Sequence, residues 1–154
     1  MLTMVQYFRF EQDFVEDGIR CIPMIARFKL DAAGIKLKLK EWNQLTEEER
    51  VNIAEYPCAS TEEIQEYAQY IRTLVLYRSG SQVQEMEVDQ YPCWNKVSEI
   101  PPVLQNKLDE LGLSLGIQQW QELNELQRFA LLKLCRPGHE NRNFPIAMHE
   151  FGLI

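Results

Sequence analysis

The chain is poor in the residues from which most metal and catalytic centres are built. It has two histidines, His139 and His149, and four cysteines, Cys21, Cys58, Cys93 and Cys135, with no CxxC pair. There is no HExxH, and His149 follows His139 by ten residues, so no zinc-ligand spacing is present. GxSxG, the P-loop, the Rossmann glycine fingerprint and the kinase motifs do not occur, and the seven glycines are scattered as stops and turns. Basic residues are outnumbered, 16 Lys and Arg against 23 Asp and Glu, for a net charge of −7. Only Lys36, Lys38 and Lys40 alternate in one short stretch. Non-specific nucleic-acid affinity comes mainly from cations neutralising phosphates, so this balance argues against nucleic acid and against an anionic membrane surface. No apolar run approaches the roughly 20 residues that span a bilayer. Residues 1–14 lack a basic stretch followed by an apolar one, so they do not read as a signal peptide. The expectation is a cytoplasmic protein whose thiols are reduced and act as small core hydrophobes.

What is present is a globular composition, 45% hydrophobic and 25% charged over 154 residues. A chain of that length buries roughly 70% of its unfolded surface. It also carries an internal repeat. Aligned without gaps at an offset of 78, residues 22–50 and 100–128 are identical at 11 of 29 positions. The matches include Pro23/Pro101, Lys29/Lys107, Asp31/Asp109, Gly34/Gly112, Trp42/Trp120 and Arg50/Arg128.

The repeated pattern has a physical reading. Pro23 and Pro101 suit the first position of a helix, where a missing N–H costs nothing. Ile25 and Phe28 mark one face of the first helix, and Leu104, Leu108 and Leu111 that of the second. Gly34 and Gly112 stop these helices in the left-handed conformation, and the following Ile35 or Leu113 latches back on Leu30 or Leu108. A short segment bearing Trp42 or Trp120 comes next. Thr46 with Glu49, and more weakly Asn124 with Gln127, then caps a further helix. Asp31 and Asp109 sit at helix C-termini, where a carboxylate opposes the macrodipole. Arg50 and Arg128 recur in register, so the pairs Asp31–Arg50 and Asp109–Arg128 are expected to brace each unit.

Between the repeats, Ser60 with Glu63 caps a helix whose buried face is Ile64, Tyr67, Ala68, Ile71 and Val75, ended by Ser79-Gly80. Gln82–Val88 reads as a short strand or an extended loop, and Val5–Phe10 alternates in a way that would let it pair there. Phe129–Leu134 (FALLKL) is apolar on all sides and is expected at the centre of the core. Arg136-Pro137-Gly138 breaks it, and a last short helix starts near Pro145. The architecture expected is mostly α. It is a single compact domain over 1–154, made of two diverged units, 22–54 and 100–134, with room for a small two-stranded β element.

The densest polar cluster is His139, Glu140, Asn141, Arg142 and Asn143, just after Arg136. Arginine suits a carboxylate or phosphate, and Asn and His supply directional hydrogen bonds, so the loop is a candidate partner-binding surface. The competing reading is a network that caps neighbouring helix ends. No catalytic residue and no metal ligand is assigned, and Trp42, Trp94 and Trp120 read as core anchors.

Several stretches resemble the nitrate reductase-associated protein family, found mainly in cyanobacteria. They are Phe8–Phe14 (FRFEQDF), Arg20–Met24 (RCIPM), Lys29–Leu37 (KLDAAGIKL), Leu126–Leu134 (LQRFALLKL), Arg136–Phe144 (RPGHENRNF) and Glu150–Leu153 (EFGL). The resemblance implies a small accessory protein for assimilatory nitrate reduction, with no cofactor and no catalytic residues of its own. The implied client is a molybdenum-cofactor-containing, ferredoxin-dependent nitrate reductase or its cofactor-loading machinery, reached by protein–protein binding. The alternative from another class is a small-ligand or metal-binding protein, or an enzyme, acting on a small anion or a molybdopterin precursor.

Overall fold

The computed structural model describes residues 6–137 and 139–154, and for His139 and Glu140 the backbone alone. Helices dominate, with a single two-stranded antiparallel sheet among the described residues. The chain resolves into two compact units, Met1–Asp89 and Gln90–Ile154.

The first unit opens with a 3₁₀ turn, Arg9–Glu11, running into helix α1 (Gln12–Glu16). Helix α2 (Met24–Ala33) begins one residue after Pro23, which serves as its N-cap rather than its first residue. It ends at Gly34, whose φ of 71° is the left-handed conformation that the glycine stop requires. A β-carbon added to Gly34 would meet the Met86 carbonyl at 2.9 Å, so a second reason for glycine is the close approach of another strand. That strand, β2 (Gln84–Glu85), pairs with β1 (Ile35–Lys36) in the register Ile35 to Glu85 and Lys36 to Gln84. The partner expected from the sequence, Val5–Phe10, turns instead into the Arg9–Glu11 helix, and Val5 lies outside the described residues. The Glu11 carboxylate accounts for that turn, because it accepts from the Phe8 N–H at 3.1 Å and the Met24 N–H at 2.7 Å.

Helices α3 (Leu39–Trp42), α4 (Glu47–Glu55) and α5 (Thr61–Ser79) complete the unit. Both expected capping boxes form. The Thr46 hydroxyl accepts from Glu49 N–H at 3.1 Å while Glu49 accepts from Thr46 N–H at 2.8 Å. Ser60 and Glu63 exchange the same two bonds, each at 3.1 Å. The core joins Ile19, Ala26, Leu30, Ile35, Trp42, Ile53, Tyr67, Ile71 and Val75, so α5 lays its apolar stripe along α2.

The second unit holds a 3₁₀ turn at Cys93–Asn95 and helices α6 (Pro102–Leu111), α7 (Ile117–Glu122), α8 (Glu125–Leu134) and α9 (Asn143–Glu150). Pro101 is the N-cap of α6, and Gly112, φ 66°, ends it. The latch predicted after the glycine is present, with Leu113 N–H bonded to the Leu108 carbonyl at 2.8 Å. Leu104 and Leu108 are buried as expected, whereas Leu111 is 40% exposed. Helix α8 is buried along Phe129, Ala130, Leu131, Leu132 and Leu134, in line with an apolar run interrupted only by Lys133.

Candidate functional site

Trp42 and Trp120 are both fully buried. A buried indole needs an acceptor for its N–H. Trp42 Nε1 donates to the Ile19 carbonyl at 2.8 Å, and Trp120 Nε1 to the Lys96 carbonyl at 2.9 Å. The acceptor of Trp42 comes from a tight reversal in which Gly18 (φ 65°) and Ile19 (φ 49°) are both left-handed. That conformation is strained for a β-branched residue such as Ile19. The strain is held by burial of the Ile19 side chain, by the Trp42 bond, and by Arg50, whose Nη1 donates to the Gly18 carbonyl at 2.9 Å.

The arginines do not take the partners expected of them. Arg50 donates to the carbonyls of Trp42 (3.2 Å), Gly18 and Asn43 (3.3 Å). Arg128 is buried, donates to the carbonyls of Trp94 (2.6 Å) and Leu123, and stacks on the Trp120 ring at 5.9 Å. Neither pair, Asp31–Arg50 or Asp109–Arg128, is among the ion pairs of the described residues, and the Asp109 carboxylate accepts from Gln105 at 3.0 Å. The physical reason is donor geometry. A guanidinium has five N–H groups in a rigid fork, and the carbonyls of a chain reversal present several acceptors at once. In each unit the arginine ties the segment around the tryptophan to a stretch of chain well before it.

Lys29 and Lys107 both serve helix ends, the first directly and the second through an amide. Lys29 Nζ donates to the carbonyls of Ala54 at 2.7 Å and Tyr56 at 2.8 Å, so an ammonium seals the C-terminus of α4. Burial lowers the Lys29 pKa, opposed by Cys58 and Glu55. In the second unit Lys107 is buried and donates to the Asn141 side-chain oxygen at 2.7 Å. Asn141 in turn donates to the carbonyls of Leu134 (3.3 Å) and Arg136 (3.1 Å) at the end of α8. An amide is thus inserted between the lysine and the helix terminus that it would otherwise seal.

This arrangement divides the candidate loop. Asn141 belongs to a capping network, the reading that competed with recognition, whereas Arg136 and Arg142 are exposed and Asn143 opens α9. The side chains of His139 and Glu140 lie outside the described residues. Glu11 is a buried carboxylate that sequence reasoning missed, and its only sequence cue is its place among Phe8, Phe10 and Phe14. No group of three or more His, Cys, Asp or Glu is placed to hold a metal among the described residues.

The thiols differ in environment. Burial pushes the Cys58 and Cys135 thiols up to about 11 each, with Lys29 and Lys107 respectively pulling back, while Cys93 is exposed. A neutral thiol is a poor nucleophile. Iodoacetamide at neutral pH should therefore label Cys93 first and leave Cys58 and Cys135 unlabelled until the fold opens, as read by peptide mass spectrometry. The folded values lie above the ordinary 9.0, so this contribution to stability is complete below pH 9 and disappears as pH rises through about 11.

No helix of the described residues is long and apolar enough to cross a membrane. No curated protein and no solved structure matches the chain significantly. A family match covers residues 7–151, taking in the Glu11 turn, both buried tryptophans with their arginines, and the Lys107–Asn141 network. The chain therefore belongs to the conserved nitrate reductase-associated protein family.

Proposed function

We propose that this protein is a non-catalytic accessory or maturation factor that supports a molybdenum-cofactor-dependent assimilatory nitrate reductase by binding the reductase or its cofactor-loading machinery. The observation that carries the reading is how the buried and half-buried polar side chains are used. Lys29, Arg50, Lys107, Arg128 and Asn141 each serve backbone carbonyls or one another, and among the described residues no buried side-chain nitrogen or oxygen lacks a partner. The chemistry of the interior goes into rigidity, which suits a protein that acts through its surface. A preformed surface binds with little ordering cost.

The exposed cations Arg136 and Arg142 flank the anchored Asn141 and form the first contact to test. Exposed arginines on either side of an anchored asparagine suit carboxylates on a client. The experiment is affinity recovery of tagged protein from nitrate-grown cells, with the recovered chains identified by mass spectrometry. The reductase or a cofactor-loading protein should be recovered with the parent protein. The double variant Arg136→Glu, Arg142→Glu should recover at least tenfold less while melting at an unchanged temperature. Recovery of neither client by the parent protein would overturn the function, and undiminished recovery by the double variant would overturn this contact.

A further inference from the structure

The two units differ in one place that the repeat makes visible. In the first, the end of α2 is covered. Ile25 and Ala33 pack against the core, Ile35 is 1% exposed, and Gly34 is crowded by the Met86 carbonyl and a Val88 methyl at 3.0 Å. The cover is α5 along α2, and then the strand that donates Met86 N–H to the Gly34 carbonyl at 2.8 Å. At the matching positions of the second unit no such cover is present among the described residues. Val103 is 49% and Leu111 40% exposed, Leu113 is only partly buried, and nothing among the described residues lies within 4 Å of a β-carbon built on Gly112. Among the described residues no backbone bond is made by the Ser114 N–H.

We propose that Gly112–Ser114 is a docking edge at which a client protein lays an extended segment, as β2 lies on β1 in the first unit, with its apolar side chains on Val103 and Leu111. This rests on the accessory reading above and names one surface that serves it. The first unit defines the rungs. There Gly34 accepts from Met86 and Lys36 faces Gln84, so Gly34 and Lys36 are the hydrogen-bonded positions. By the offset of 78, the Gly112 carbonyl and the Ser114 N–H are the groups offered to an added strand. An open edge of this kind is a template for strand addition.

Charge selects the occupant. The edge is bordered by Asp109 and by Glu110, whose side chain is 68% exposed and lies 3.8 Å from the Lys107 ammonium. A second copy offering its own strand in the register of the first unit would bring Glu85, Glu87 and Asp89 towards these carboxylates. Like charges in register oppose that mode. The fitting occupant is a segment of a different protein, extended, apolar at alternate positions and carrying Lys or Arg between them.

The probe is a peptide of residues 81–89 of this chain with Glu85, Glu87 and Asp89 each replaced by lysine, titrated into the isotope-labelled full-length protein. It keeps the apolar pattern of the strand that covers the first unit and reverses its charge. Saturable amide shifts should appear at Leu111–Leu115 and not at Gly34–Lys36. The unaltered acidic peptide should bind at least tenfold more weakly. Ser114→Pro removes the donor, Val103→Asn with Leu111→Gln removes the apolar contact, and each should weaken binding at least tenfold. Absence of saturable shifts at Leu111–Leu115 up to about 1 mM peptide, or equal binding by the Ser114→Pro protein and by Val103→Asn with Leu111→Gln, would overturn the proposal. Client recovery from cells is scored separately, so a protein that recovers its client but ignores the peptide refutes this edge and leaves the function standing.

Discussion

Trp42→Ala should destabilise the first unit by about 3–5 kcal/mol, the range for emptying a fully buried aromatic site. A further 1–3 kcal/mol is expected because the Ile19 carbonyl loses its donor in the interior. Whole domains are stable by only about 5–15 kcal/mol, so this change approaches the entire margin. Thermal denaturation followed by circular dichroism should show a fall of roughly 10–20 °C or loss of the transition. Trp42→Phe separates the two contributions. It keeps most of the ring contact but has no N–H, and it should cost about 1–3 kcal/mol. A phenylalanine variant as stable as the parent would mean that the indole bond does not hold the left-handed Gly18-Ile19 reversal.

Arg128→Met should cost about 3 kcal/mol in the second unit, although methionine fills much of the volume. The guanidinium is buried and serves the Trp94 and Leu123 carbonyls at once, and removing it leaves both acceptors in a site that water reaches poorly. Arg128→Lys should recover less than half of the loss, because one ammonium cannot reproduce a planar fork that also stacks on Trp120. Arg50→Met is the internal comparison. Arg50 has three carbonyl partners but is only half-buried, so water can replace it and the cost should stay near about 1 kcal/mol. Equal losses at the two positions in urea titrations would show that burial does not set the difference.

These arginines also mark how far the sequence could be read. The capping boxes at Thr46, Ser60 and Asn124 and the left-handed stops at Gly34 and Gly112 were legible because each is decided within three or four residues. Burial of Phe129–Leu134 was legible because a helix segment apolar on nearly every side, Lys133 excepted, has nowhere else to go. The partners of Arg50 and Arg128 were not. Their carbonyls lie up to 34 residues away, and every residue offers a carbonyl, so side-chain identities carry no cue. A carboxylate near a helix end was the visible partner and the wrong one. The same limit applies to the strand, since alternation in Val5–Phe10 could not reveal that Glu11 would fold Phe8 into a turn. Asn141 could be narrowed to recognition or capping, and the bonds that it makes to Lys107 and to the end of α8 had no cue in the sequence.

The Lys107–Asn141 link bears on how the protein is made. During synthesis on the ribosome, every bond described for the first unit can form once residue 89 has emerged. In the second, the carbonyls that close α8 and the ammonium on α6 both wait for Asn141. At about 5–20 residues per second that partner arrives roughly 3–10 s later. Through that interval the nascent chain carries one finished unit and one whose last helix terminus is still unsealed, the period in which a ribosome-bound chaperone or a protease has its best access.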